Sequence, residues 1–216
     1  MWTYWRDGGI EYGHWSGGTP VLRTHFHDEP QLTLVLRGER FFQFESTVVR
    51  VAAGHGLYIP AGCPHRGLPE RSVDVVCTNL YGPIGLGDQP QLIALPPRDA
   101  FHTVSVVAGR LPEDFRGAWL ESMAWQPDGF ASISEIAAGR RMTREAFTRA
   151  FARSHGMAPH AYRLVSRLNV ARQRLRDGEV PAAVAADLGY TDQSHLGRQF
   201  RQAFGTTPGL YRDSLV

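Results

Sequence analysis

The period of the hydrophobic positions changes partway along this 216-residue chain. Towards the N-terminus, apolar residues fall in short runs and alternations. Leu32 to Arg37 is an apolar run stopped by Gly38-Glu39, Phe42 and Phe44 alternate with polar neighbours, and Val48 to Val51 and Val73 to Cys77 are further β-rich stretches. Short strands at close spacing predict a small barrel or sandwich. Towards the C-terminus the spacing becomes helical. Val184 and Leu188 lie four apart before Gly189, and Leu196, Phe200 and Phe204 recur every fourth position after it. Leu164, Leu168, Ala171 and Leu175 predict an amphipathic helix ending near Gly178, about 17 residues or roughly 25 Å long at the α-helical rise. Between the halves, Gly82-Pro83-Ile84-Gly85-Leu86-Gly87 and Leu95-Pro96-Pro97 are breaker-rich, and Glu113 to Trp125 is predicted as one helix before Pro127-Asp128-Gly129. The pattern predicts an α+β chain: a β domain over residues 1–98, a connector over 99–129 and an all-α domain over 130–216.

Local chemistry sharpens the helical half. Pro181 suits a first helical turn, Gly189 suits a tight turn with positive φ, and Thr191 or Asp192 can cap the following helix. On that helix Ser194, Arg198, Arg201 and Gln202 fall opposite the Leu196/Phe200/Phe204 face, and Gln193 stands at its start. Such side chains can reach base edges and phosphates in a major groove, although a helical hairpin with a solvated face has the same periodicity. Charge bears on this choice. Residues 131–216 carry 13 Arg and 7 acidic residues, net +6, whereas residues 1–130 carry 10 Arg and 14 acidic residues, net −4. A basic half is what phosphate contacts require, and the whole-chain value of +2 conceals it.

Composition sets outer bounds. Hydrophobic content of 43% is ordinary for a folded domain, and no apolar run approaches membrane-spanning length. Met1-Trp2-Thr3-Tyr4-Trp5-Arg6-Asp7 lacks the basic start and apolar core of a signal peptide. Two cysteines, Cys63 and Cys77, give neither a disulfide framework nor a CxxC metal motif, so a reducing cytoplasm is the expected compartment.

The run from Leu188 to Arg212, closing with Phe204-Gly205-x-x-Pro208-x-x-Tyr211-Arg212, resembles the second helix-turn-helix of AraC-type (AraC/XylS) transcription regulators. That family carries two such units, and an earlier copy is present. Ile133 to Ala138 leads to Met142 to Phe151, followed by Gly156-Met157-Ala158-Pro159-x-x-Tyr162, with Arg141 at the turn position that Gly189 occupies in the second copy. The amphipathic segment between them is then a linker helix that holds two recognition helices in successive major-groove segments about 34 Å apart. By motif position the resemblance assigns DNA contacts to Arg144, Glu145, Thr148 and Arg149 in the first unit. In the second it assigns them to Gln193, Ser194, His195 and Arg198.

A second constellation lies in the β half: His25-x-His27-x-x-x-Gln31, then Gly38, then Gly54-x5-Pro60-x-Gly62-x-x-His65. In an extended chain positions 25, 27 and 31 share one parity and face one side, with Asp28 to Pro30 as a candidate interruption. The spacing resembles the two cupin motifs. It implies a cupin-like β-barrel (jelly roll) with His25, His27, Gln31 and His65 at the metal positions, Gln31 standing where a glutamate is usual. Three neutral imidazoles suit a divalent first-row ion, zinc first, with iron, nickel or manganese as alternatives. Phe42, Phe44 and Tyr58 are candidate pocket linings, although aromatic residues in strands commonly serve as core.

Together the resemblances imply a sequence-specific DNA-binding transcription regulator, not an enzyme. Metal or a small-molecule effector in the barrel would control its binding to double-stranded DNA. In related regulators the connector supplies dimerisation helices, so a homodimer is a candidate state with Trp119 and Trp125 as candidate packing residues. Contact with RNA polymerase is common in the family. The competing class is a cupin metalloenzyme, of oxygenase or isomerase type, fused to a DNA-binding module.

Overall fold

A computed structural model describes residues 2–18, 21–69, 74–95, 108–110 and 131–215. Among the described residues ten strands come first: β1 (Trp2–Asp7), β2 (Ile10–Gly17), β3 (Gln31–Arg37), β4 (Glu39–Phe44), β5 (Thr47–Ala52), β6 (His55–Ile59), β7 (Arg66–Gly67), β8 (Val75–Tyr81), β9 (Gln91–Ala94) and β10 (Ala108–Arg110). One sheet has the order β1-β2-β8-β3-β6-β9-β10 and the other β5-β4-β7, with every pairing antiparallel. Alternation does the sorting. Val35, Phe42, Phe44, Val49, Val51, Leu57 and Ile59 turn inward and form the core of a cupin-like barrel.

The strands read from apolar runs are present as β3, β4, β5 and β8, the last running on to Tyr81. The β1–β2 hairpin was not foreseen, though its Gly8-Gly9 turn between Asp7 and Ile10 is a recognised hairpin signal. His55, directly after Gly54, opens β6. Strand β10 pairs with β9 inside the stretch assigned to the connector. The predicted Glu113–Trp125 helix, with Trp119 and Trp125, lies outside the described residues.

Six helices follow among the described residues: α1 (Ile133–Gly139), α2 (Arg144–His155), α3 (Pro159–Arg176), α4 (Pro181–Asp187), α5 (Gln193–Phe204) and α6 (Pro208–Asp213). Their ends match local chemistry. Ser132 and Glu135 form a capping box on α1, Thr143 caps α2, Asp192 caps α5, and Pro159, Pro181 and Pro208 open α3, α4 and α6. The turns of the two helix-turn-helix units share one conformation despite different residues: Gly189 has φ 70° and Arg141 φ 56°. An Arg in that region carries strain that glycine avoids.

The two halves share their packing. Barrel residues Trp2 and Tyr4 enter one core with Leu168, Leu196, Phe200, Phe204 and Tyr211. Phe26 enters another with Ala137, Phe147, Phe151, Met157, Tyr162 and Val165. Gly205 caps α5 at φ 77°, and a Cβ there would stand 2.5 Å from Trp2 Nε1, so this close approach excludes a side chain.

Candidate effector cavity and DNA-facing helices

The segment between β2 and β3 crosses the seam between the halves, and its pattern His25-Phe26-His27 serves both sides. The two imidazoles point into the barrel and Phe26 into the core of the first helix-turn-helix, 4.8 Å from the Tyr162 ring. An isolated antiparallel bridge pairs His25 with His65, with backbone bonds of 2.9 and 2.8 Å, and so delivers the third imidazole. Strand β3 begins only at Gln31. The ligand segment is therefore interrupted at Asp28–Pro30, and Gln31 faces the cavity from the strand itself.

The donor nitrogens of His25, His27 and His65 all lie within 4.8 Å of one another, and the three rings are buried. Burial keeps them neutral: it pushes His25 down to about 4, His65 down to about 3 and His27 well below the ordinary histidine range. Hydrogen bonds fix the tautomers. His25 Nδ1 donates to Arg23 O at 2.8 Å and His65 Nδ1 to Cys63 O at 2.9 Å, which leaves both Nε2 atoms as lone-pair donors. Gln31 donates through Nε2 to Thr33 Oγ1 at 2.8 Å, and its buried Oε1 has no partner among the described residues. These three groups fit a divalent ion. His27 differs because Arg172 Nη1 donates to its Nδ1 at 3.1 Å, and a guanidinium cannot accept. Its ring therefore carries the proton on Nε2, which has no partner among the described residues. Ligation through that atom requires Arg172 to leave.

Arg172 comes from α3, the helix joining the two helix-turn-helix units, and is 3% exposed. Its Nη2 meets Glu11 Oε1 of β2 at 2.5 Å, Nε donates to Tyr211 OH at 3.1 Å, and its guanidinium lies 4.3 Å from the Tyr81 ring centroid. Tyr211 OH in turn donates to Glu11 Oε2 at 2.6 Å. Arg176, one turn on, reaches Glu29 Oε1 at 2.5 Å. Burial alone would raise the Glu29 carboxyl, but the Arg176 hydrogen bond and the two guanidinium charges hold it below its usual range. Sequence reading missed Arg172 and Glu11. The signal available was that Arg172 falls between Leu168 and Leu175 in the apolar stripe of its helix.

The cavity bounded by these groups has a volume of about 20 Å³, room for an ion or a ligand of very few atoms. Of the three aromatic candidates, only Phe42 lines it. Phe44 shares the inward parity but packs deeper in the barrel core, its ring 6.0 Å from His65. Tyr58 does not belong to the pocket. It has the opposite parity to Leu57 and Ile59, and its hydroxyl donates to Gly87 O at 2.8 Å.

Of the candidate DNA contacts, Arg144, Glu145 and Arg149 of α2 are exposed, and so are Gln193, Ser194 and Arg198 of α5. Thr148 is half-buried and donates its hydroxyl to Arg144 O at 2.8 Å; the half-buried His195 ring lies edge-on to Tyr190, centroids 5.4 Å apart. A groove along α5 and the start of α6 is lined by Gln193, Ser194, Arg198, Arg201 and Gln202.

Family models match both halves: an AraC-like ligand binding domain over residues 7–88 and a helix-turn-helix domain over 136–214. A probable transcriptional regulator, LumQ, of Photobacterium leiognathi is 23% identical over 226 residues, covering 87% of this chain and 91% of that protein. The RCS-specific transcriptional activator RclR of Escherichia coli K12 is 31% identical over 98 residues, 45% of this chain and 34% of its own length. Among solved structures, ToxT of Vibrio cholerae superposes with a TM-score of 0.58 at 9% identity, covering 96% of this chain and 98% of that one, which is a likeness of fold. With both domains matched, in the order that the motifs and the fold require, the chain belongs to the AraC-type transcription regulators and is a sequence-specific DNA-binding protein with a cupin-like ligand-binding domain.

Proposed function

We propose that DNA binding by this regulator is governed by what occupies the histidine-lined cavity. The effector favoured by the donor set is a divalent metal ion, zinc before iron, nickel or manganese, held by His25, His65 and Gln31 and, once Arg172 withdraws, by His27. Such an ion would supply a positive cross-link among these side chains. The observation that carries the reading is the His25-Phe26-His27 alternation. A change in where the imidazoles sit moves Phe26, a core residue of the first DNA-reading unit, while Arg172 ties the same cavity to the helix joining both units. Occupancy and domain arrangement are then linked equilibria.

In this reading base and phosphate contacts come from Arg144, Glu145, Thr148, Arg149, Gln193, Ser194, His195 and Arg198. Six of these present exposed side chains, while Thr148 and His195 contribute through their partly exposed edges. Paired operator half-sites suit a homodimer in the cytoplasm, with promoter control through RNA polymerase. A structure of ToxT carries an unsaturated fatty acid. In this chain a cavity of about 20 Å³ takes an ion, and an acyl chain would require the seam between the halves to open. The metalloenzyme reading is weaker, because among the described residues no carboxylate lines the cavity to act as acid or base beside the histidines.

Elemental analysis of wild type, His25→Ala and His65→Ala, paired with fluorescence-anisotropy titration of labelled operator DNA with and without chelator, tests the proposal. Stoichiometric zinc lost in both variants, with DNA affinity shifting on chelation, is expected. Wild type that retains no metal and binds DNA equally with and without chelator removes the metal.

A further inference from the structure

One buried cation in the cavity wall has no counter-charge among the described residues. Arg40 lines the cavity from β4 and is 3% exposed. Its guanidinium donates to Cys77 Sγ at 3.3 Å and lies 5.1 Å from the Phe42 ring centroid, but it makes no ion pair among the described residues and its Nε has no acceptor. A buried charge without a counter-charge is costly, so a solitary buried arginine asks for an anion. Two further buried N–H groups without acceptors belong to residues lining the same cavity: Trp2 Nε1, and His27 Nε2, which is a donor because Arg172 occupies Nδ1. The free acceptors around them, Gln31 Oε1 and the Nε2 lone pairs of His25 and His65, are neutral and offer no counter-charge. The buried carboxylate of Glu11 is already engaged by Arg172, Arg176 and Tyr211.

We propose that, with Arg172 docked on His27, the cavity is a binding site for a small carboxylate-type anion, gripped by Arg40 and by the N–H groups of His27 and Trp2. A volume of about 20 Å³ limits the ligand to the size of formate. The inference rests on this cavity being the effector site but not on a metal being there. The anion belongs to the arrangement in which His27 donates, whereas a metal needs the other tautomer, so the two ligands oppose one another.

The test uses full-length, chelator-treated protein titrated with sodium formate, ionic strength being held constant with sodium gluconate, which is too large for the cavity. A saturable rise in Tm is expected in wild type, weakened at least tenfold in Arg40→Met. That variant itself should melt no lower than wild type, since it loses an unpaired buried charge. Trp2→Phe, which deletes one donor and keeps an aromatic ring, should weaken formate severalfold and serves if Arg40→Met does not fold. No saturable effect in wild type, or an unchanged effect in the variants, overturns the proposal. Zinc binding without a formate response removes this inference alone, and a formate response in a protein that takes up no zinc supports it while removing only the metal.

Discussion

Arg198 stands exposed on the polar face of α5, opposite Leu196, Phe200 and Phe204, and no ion pair to it is present among the described residues. If it forks onto a base, Arg198→Ala weakens operator binding by about 1 to 3 kcal/mol and relaxes preference at one base position, which anisotropy with a panel of operator variants would read. Unchanged affinity and preference would assign the base contact elsewhere. The histidines make a different residue-scale prediction. His25 and His65 are held down to about 4 and about 3 by burial, while in the unfolded chain they take up protons near 6.5. Between these values the unfolded state binds more protons, so stability is complete above about pH 6.5 and falls as the pH is lowered towards 4. Urea midpoints of chelator-treated protein should decline over this window, by up to about 1.4 kcal/mol per pH unit for each histidine. His25→Ala should flatten the slope.

At the scale of elements, α3 does two jobs. It carries the apolar stripe Leu168, Ala171 and Leu175, and it extends Arg172 and Arg176 back to β2 and the ligand segment. Arg172→Met leaves Glu11 buried with less counter-charge, and we expect a loss of about 3 to 5 kcal/mol in chemical denaturation. The paired variant Arg172→Met with Glu11→Gln should recover much of that loss, and a double-mutant cycle without coupling would deny the contact. Arg172→Met should also free His27 Nδ1 and tighten zinc, which calorimetry on the same variants would measure. The elements themselves were legible to different degrees. The apolar runs of β3, β4 and β5 and the capped, periodic helices followed from local pattern. The β1–β2 hairpin did not, because its aromatic residues pack on α5 and α6 as well as on a sheet. Arg40 and Arg172 escaped notice for a shared reason. Each occupies an inward position of an element, beside Phe42 in β4 and between Leu168 and Leu175 in α3, and period analysis reads a charge there as a gap in the stripe.

Over the whole molecule, the cupin-like half and the helix-turn-helix half meet in shared cores. Phe26 belongs to the segment that carries His25 and His27, yet it is buried with Phe147, Phe151 and Tyr162. Phe26→Ala should cost about 3 to 5 kcal/mol. It should also uncouple the halves, so that operator affinity no longer changes with cavity occupancy; a variant that still responds fully would place the coupling in Arg172 alone. The sequence by itself determined the order of a β half and a basic helical half, two helix-turn-helix units with their caps, and a set of histidines spaced for one site, because periodicity, turn chemistry and motif spacing are local properties. Tertiary structure alone decided which nitrogen of His27 carries the proton, that Arg40 has no counter-charge among the described residues, how small a ligand the cavity admits, and that an arginine from the linker helix lines it. Those outcomes depend on partners as far apart in the chain as Glu11 and Arg172, brought within 2.5 Å by packing that no local pattern encodes.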